Sequence, residues 1–138
     1  MKITPCFNLK MRQANRVLTS HYDAYLRDEG LTVAQFSIIR TLWYMKSTSQ
    51  KDLQEVLVLQ QTTLTRNLKP LIRDGFLSID PSPEDGRVNL VSLTDSGKEL
   101  FQRARKKWKQ AQEKLSDQLG NNLSNQLLKV ADAIIELS

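Results

Sequence analysis

Cysteine and histidine are almost absent from this chain, with one of each in 138 residues. A single thiol excludes an intramolecular disulfide. One thiol with one imidazole speaks against a His/Cys metal cage, although counts alone leave a carboxylate site open. Glycine and proline are few, five and four, and they stand at joints. There is no low-complexity tract and no internal repeat. No apolar run approaches the roughly 18–20 residues a membrane span needs. The start, Met1-Lys2-Ile3-Thr4-Pro5-Cys6, lacks the apolar stretch of a signal peptide. The expectation is a soluble, cytoplasmic protein with no membrane partner. Catalytic signatures are missing too. His21 has Asp23 beside it in sequence, but positions two apart on a helix point in different directions. No nucleophile–base pair, paired-carboxylate motif or phosphate-cradling glycine loop is present. The chain is therefore expected not to be an enzyme and to need no cofactor and no metal.

The hydrophobic fraction of 40% and charged fraction of 25% are those of a globular chain. The length suits one domain, spanning 1–138, with its own core. Basic residues outnumber acidic ones by 20 to 15, for a net charge of +5. That balance favours a polyanionic partner such as nucleic acid, although many basic proteins merely solvate a basic face.

Apolar spacing of three and four predicts a first helix from Phe7 to Asp28, with Phe7, Met11, Ala14, Leu18, Tyr22 and Tyr25 on one face. Gly30 stops it. Thr32-Val33-Ala34-Gln35 reads as a capping box opening a second helix to Met45, which buries Phe36, Ile39, Leu42 and Trp43. Ser49 with Asp52 starts a short helix to Leu57, with Leu53, Val56 and Leu57 inward. A break at Val58-Leu59-Gln60 leads to a helix from Gln61 to Asp74 that buries Leu64, Leu68, Leu71 and Ile72, closed by Gly75. Pro70 inside it predicts a kink. The period then changes. Phe76–Asp80 and Val88–Leu93 alternate like strands around the turn Pro81-Ser82-Pro83-Glu84-Asp85-Gly86, which makes a hairpin. Thr94-Asp95 caps a long helix with Leu100, Ala104, Trp108, Ala111, Leu115 and Leu119 inward. Gly120 ends it, and a last helix carries Leu123, Leu127, Ala131, Ile134 and Ile135.

Two short helices joined by a tight turn and followed by a hairpin are the parts of a winged helix-turn-helix. The fold class is mainly α with a small β-hairpin wing. The winged-helix lobe covers about 31–94, between helical segments at about 1–29 and 95–138. On the helix from Gln61, the stripe opposite the leucines holds Gln61, Thr62, Thr65, Arg66, Lys69 and Arg73, with Thr63 beside it. Arginine and lysine donate to guanine edges, glutamine pairs with adenine, and threonine meets a thymine methyl or a phosphate. In isolation such a stripe equally describes a solvated helix face; the helix-turn-helix context favours the groove. At the hairpin tip Asp85-Gly86-Arg87 offers an arginine to a minor groove, with Asp85 placed to orient it. On these residues alone a plain turn explains the tip as well. Arg103, Arg105, Lys106, Lys107 and Lys109 read as a solvated face of the long helix.

Leu64-Thr65-Arg66-Asn67-Leu68, Leu71-Ile72-Arg73-Asp74-Gly75-Phe76-Leu77, Glu84-Asp85-Gly86-Arg87 and Val91-Ser92-Leu93-Thr94-Asp95-Ser96-Gly97 together resemble the MarR family of winged-helix transcription regulators. Gly30-Leu31-Thr32-Val33-Ala34-Gln35-Phe36 fits as well, so the resemblance covers nearly the whole chain. Pro70 departs from the pattern. The resemblance implies a homodimer, joined through dimerisation helices at about 1–29 and 95–138, that binds a pseudo-palindromic double-stranded operator with the lobe at about 31–94, usually as a repressor of nearby genes. It assigns the recognition helix to Gln61–Asp74, the wing arginine to Arg87 and its acidic partner to Asp85.

It also implies relief of repression by a small, often aromatic, effector. The candidate lining is Tyr22, Tyr25, Phe36, Trp43 and Trp108, although aromatics at helical spacing are more often core. Alternatively, Cys6 near the start of the first helix resembles the peroxide-sensing cysteine of some members, which tyrosines of the partner subunit assist; a half-buried structural cysteine is the plainer explanation. A winged helix used for protein contact without DNA is the competing reading of the whole chain.

Overall fold

The structure, a computed structural model, describes residues 2–138. Five helices surround a three-stranded antiparallel sheet: α1 (Phe7–Leu26), α2 (Val33–Met45), β1 (Ser47–Ser49), α3 (Gln50–Leu57), α4 (Gln61–Arg73), β2 (Leu77–Pro81), β3 (Asn89–Leu93) and α5 (Asp95–Ile135). A 3₁₀ turn, Arg27–Glu29, follows α1.

Helix α2 is the centre. Phe36, Ile38, Ile39 and Leu42 are all buried, and α1, α3, α4, β3 and α5 pack against it. Its start is fixed three ways. Thr32 Oγ1 accepts from Gln35 N–H at 3.2 Å, and Gln35 Oε1 accepts from Thr32 N–H at 3.1 Å, which is the expected capping box. In addition, Asp23 Oδ1 accepts from Val33 N–H at 2.7 Å. A carboxylate at a helix N-terminus is favoured by the exposed N–H groups there, so α1 is anchored to α2 by a contact that local sequence does not reveal.

Three chain reversals share one geometry. After α1, Leu31 N–H reaches the Leu26 carbonyl and Gly30 sits at φ 73°. After α3, Leu59 N–H reaches Gln54 and Val58 sits at φ 53°. After α4, Phe76 N–H reaches Leu71 and Gly75 sits at φ 82°. Each left-handed residue satisfies the last helical carbonyls. Glycine does this without strain; Val58, β-branched and left-handed, holds the helix-turn-helix bend at a cost of roughly 1–2 kcal/mol.

The structure corrects several boundaries. Ser47–Ser49 forms a strand that polar composition hides; it pairs with β3, Thr48 opposite Val91, with Thr48 buried. Sheet order is β1-β3-β2, so the expected hairpin is extended by a third strand. Phe76 lies outside β2, because its N–H is committed to the α4 cap. Pro81, expected in the turn, ends β2 opposite Asn89, on an edge strand where a missing N–H costs least. Val88 belongs to the turn and bonds back to Asp85. Helix α4 continues through Pro70 to Arg73; the proline falls in the last turn, so only the Arg66 carbonyl loses its helical donor. Ile72 and Val56, expected inward, are 36% and 54% exposed, while Phe101 is core. The long helix and the last helix meet at Gly120 (φ 80°, ψ 166°) without a connecting loop, a backbone region essentially reserved for glycine.

Gly97, in the first turn of α5, lies against the Phe76 carbonyl. A Cβ there would overlap that oxygen and come within 3.0 Å of its carbon. Neither backbone can yield locally. Gly97→Ala is expected to lower the unfolding free energy by about 3 kcal/mol, read from urea denaturation.

Candidate nucleic-acid interface

Helix α4 is strongly two-sided. Leu64, Leu68 and Leu71 are buried at 1–3% exposure, and this inner stripe fixes the helix on α2. Gln61, Thr62, Thr65, Arg66, Lys69 and Arg73 are all exposed on the other side. Thr63 is half-buried, and its carbonyl accepts from Asn67 Nδ2 at 3.1 Å, so Thr63 is the member of the expected set that is turned partly inward. Among the described residues Arg66 and Lys69 pair with no carboxylate. Arg73 pairs with its neighbour Asp74, Nε–Oδ1 3.0 Å; that hydrogen bond holds the Asp74 carboxyl below its usual range. No side chain caps the N-terminus of α4 at Gln60, so its first N–H groups remain available to an acceptor such as a phosphate oxygen.

The hairpin tip is ordered by Asp85. Its Oδ1 accepts from the Arg87 backbone N–H at 3.0 Å and from Nε at 3.1 Å, while Oδ2 faces Nη2 at 3.3 Å. This fork fixes the guanidinium while leaving it 91% exposed. An acidic residue that is odd beside DNA thus acts on the arginine rather than on a phosphate.

The expected effector lining is not gathered in one place. Phe36 is core, stacked with Phe101 and Trp108 at 5.8 and 6.0 Å. Trp108 also carries the Arg40 guanidinium, 5.0 Å from its ring centre. Trp43 stacks on Phe101 at 4.7 Å and borders a cavity of about 510 Å³ with Leu42, Lys46, Leu93 and Lys98. Tyr22 borders another, of about 430 Å³, between α1 and α5. There its hydroxyl bonds Gln112, burial raises its pKa, and Ser124 Oγ is buried without a partner among the described residues. Tyr25 packs at a tilt on His21, ring centres 5.4 Å apart, and His21 bonds the Ala111 carbonyl at 2.8 Å. These aromatics chiefly hold α1, α2 and α5 together. Cys6 is exposed, at the N-cap of α1. Of the basic cluster on α5, Arg103 and Lys107 pair with Glu29 and Asp28 at 3.2 and 3.4 Å, joining α5 to the turn after α1. Sequence reasoning missed Asp23 and this pair of ion bridges, since each depends on residues far apart in the chain.

A short helix, a tight turn, an amphipathic helix and an arginine-tipped hairpin define a winged helix-turn-helix. The MarR family model matches residues 31–88, and the curated relatives that the chain resembles are transcriptional regulators. The chain is 30% identical over 97 residues to the uncharacterized HTH-type transcriptional regulator YdgJ of Bacillus subtilis (strain 168), covering 70% of this chain and 57% of that one. It is 32% identical over 91 residues to the organic hydroperoxide resistance transcriptional regulator of the same organism, covering 66% and 62%. The matched stretch therefore spans about three fifths of these curated relatives. Among solved structures, the M. tuberculosis transcriptional regulator MosR in complex with DNA superposes with a TM-score of 0.81 at 28% identity, over 94% of this chain and 96% of that one.

The Arg87 hydrogen bonds, from the side chain first and the backbone second, lower the Asp85 pKa. Because the folded value is depressed, the pairing is present above the unfolded pKa and is lost as pH falls through the folded one. A carboxyl NMR titration is expected to place Asp85 below the roughly 3.9 of a free aspartate, and Arg87→Ala to move it back up.

Proposed function

We propose that this chain is a homodimeric, sequence-specific double-stranded DNA-binding regulator of transcription. Helix α4 enters the major groove with Gln61, Thr62, Thr63, Thr65, Arg66, Lys69 and Arg73, and the Asp85-oriented Arg87 enters the neighbouring minor groove. The observation that carries this reading is the two-sided α4, whose unpaired Arg66 and Lys69 face outward while its leucines fix it on α2. The relative solved with DNA supports the same use of the fold.

Dimerisation is supported by uncovered surface. A compact monomer of 15.8 kDa exposes about 7,300 Å², whereas this chain exposes 10082 Å². The excess matches what obligate dimers bury. It is concentrated where α1 and the distal part of α5 leave Phe7, Met11, Val17, Leu123, Val130, Ile134 and Ile135 at 42–88% exposure. Met11, Val17, Leu123 and Val130 border one apolar groove between these two helices. Two α4 helices then meet successive major grooves of a pseudo-palindromic operator, about 34 Å apart. Repression of nearby genes, cytoplasmic location and relief by an effector or oxidant complete the proposal. Cys6 and Tyr22 are about 24 Å apart along α1, so Tyr22 of the same chain does not reach an oxidised Cys6.

The test is fluorescence anisotropy with the duplex flanking the protein's own gene, over a salt series. If each protomer neutralises about four phosphates, log K falls with log salt at a slope of roughly −7. Arg87→Ala is expected to weaken binding by about 1–3 kcal/mol and, with one arginine lost from each protomer, to flatten that slope by about 2. Binding no tighter than to random duplex, unchanged by Arg87→Ala, would favour a protein-binding winged helix instead.

A further inference from the structure

One residue closes the junction between α4 and α5. Thr94 N–H donates to the Phe76 carbonyl at 3.1 Å. Its hydroxyl donates to the Gly75 carbonyl at 2.6 Å, and the same oxygen accepts from Gly97 N–H at 3.0 Å. Only the last of these is an ordinary helix cap. The other two reach back to the residues that end α4. Gly75 and Phe76 are themselves tied into α4, through N–H bonds to the Ile72 and Leu71 carbonyls at 3.1 and 2.9 Å. A continuous hydrogen-bonded path therefore runs from the last turn of α4 through Thr94 into the first turn of α5. Gly97 lies against the Phe76 carbonyl, so the two helix ends also meet by direct backbone contact.

The chemistry separates the tie from the cap. An aspartate at this position accepts from Gly97 N–H and caps α5, but an ionised carboxylate has no proton to give to Gly75. Only a hydroxyl does both at this reach. Geometry shows why the tie matters. Helix α4 extends about 18 Å from the junction to Gln61. Angular slack of about 10° there moves the Gln61 end by about 3 Å, close to the 3.4 Å rise of one base along a DNA strand.

We propose that Thr94 is a positioning residue: its hydroxyl fixes the angle between α4 and α5 and thereby the spacing of the two recognition helices in the dimer. This rests on the DNA-binding reading above, in which α5 carries the self-association surface and α4 the groove contacts.

The experiment compares full-length wild type, Thr94→Ser and Thr94→Asp on a duplex selected by the wild type and on versions with one base pair inserted or deleted at its centre. Circular dichroism and sedimentation check that folding and oligomeric state are shared. Wild type and Thr94→Ser are expected to prefer the native spacing by about tenfold or more. Thr94→Asp is expected to fold and dimerise alike and to lose most of that preference, a change that a merely structural cap would not produce. Retention of the wild-type ratio by Thr94→Asp would overturn the proposal, and so would an equal loss in Thr94→Ser. Should Thr94→Asp fail to fold, the wild type is read directly by NMR. A slowly exchanging Thr94 hydroxyl proton, coupled to the Gly75 carbonyl carbon, is expected; a freely exchanging one would overturn the tie. Failure of the wild type to bind any duplex is a distinct outcome that removes the DNA-binding reading and this inference with it.

Discussion

Burial of the apolar positions of α2 between its neighbours is the constraint from which the other placements follow. Phe36, Ile38, Ile39 and Leu42 leave almost no surface to water, so every other helix and β3 must lend α2 an apolar stripe. Helix α4 lends Leu64, Leu68 and Leu71. At 100° per residue that commitment turns Thr62, Thr65, Arg66 and Lys69 to the opposite side. The polar stripe is thus a consequence of core packing, and its exposure needs no separate device. Val91 of β3 packs into the same core, which carries the root of the wing and, through it, Arg87.

The same constraint leaves the ends of the chain unsatisfied. The first half of α1 and α5 beyond Ala111 instead face each other across an apolar groove bordered by Met11, Val17, Leu123 and Val130. Apolar packing of Leu26, Leu100, Phe101 and Ala104 joins these outer helices to the central lobe, and polar contacts add direction: Asp23 on the first N–H of α2, and Arg103 and Lys107 of α5 on Glu29 and Asp28 after α1. The exposed ion pairs are individually weak. Their effect is geometric, fixing α5 beside the turn that ends α1.

Much of this was legible in the sequence. The capping box at Thr32, the stops at Gly30 and Gly75, the leucine stripe of α4 and the Asp85–Arg87 tip are local patterns, each complete within a few residues, and each is where the spacing predicts. What was not legible depends on distant partners. Ser47-Thr48-Ser49 has no strand signature and becomes one only because β3 offers a free edge. Phe101, three and seven residues before Ala104 and Trp108, shares their inward face and meets Phe36 and Trp43 there, so its place was open to the spacing. Pro70 disturbs less than its residue type suggests, because it sits where the helix is about to end. Of the aromatic residues read as one effector lining, Phe36 is core with Trp108 stacked on it, Trp43 and Tyr22 border two separate cavities, and Tyr25 packs on His21, since shared helical spacing does not imply a shared cavity.

The central claim is that two copies of this chain present two α4 helices to one DNA duplex. Sequencing the duplexes that the purified protein retains from a random pool tests it most directly. The account predicts enrichment of an inverted repeat whose half-sites are centred about 10 base pairs, or one helical turn, apart. A pool that stays random, or an enriched single asymmetric site, would contradict it.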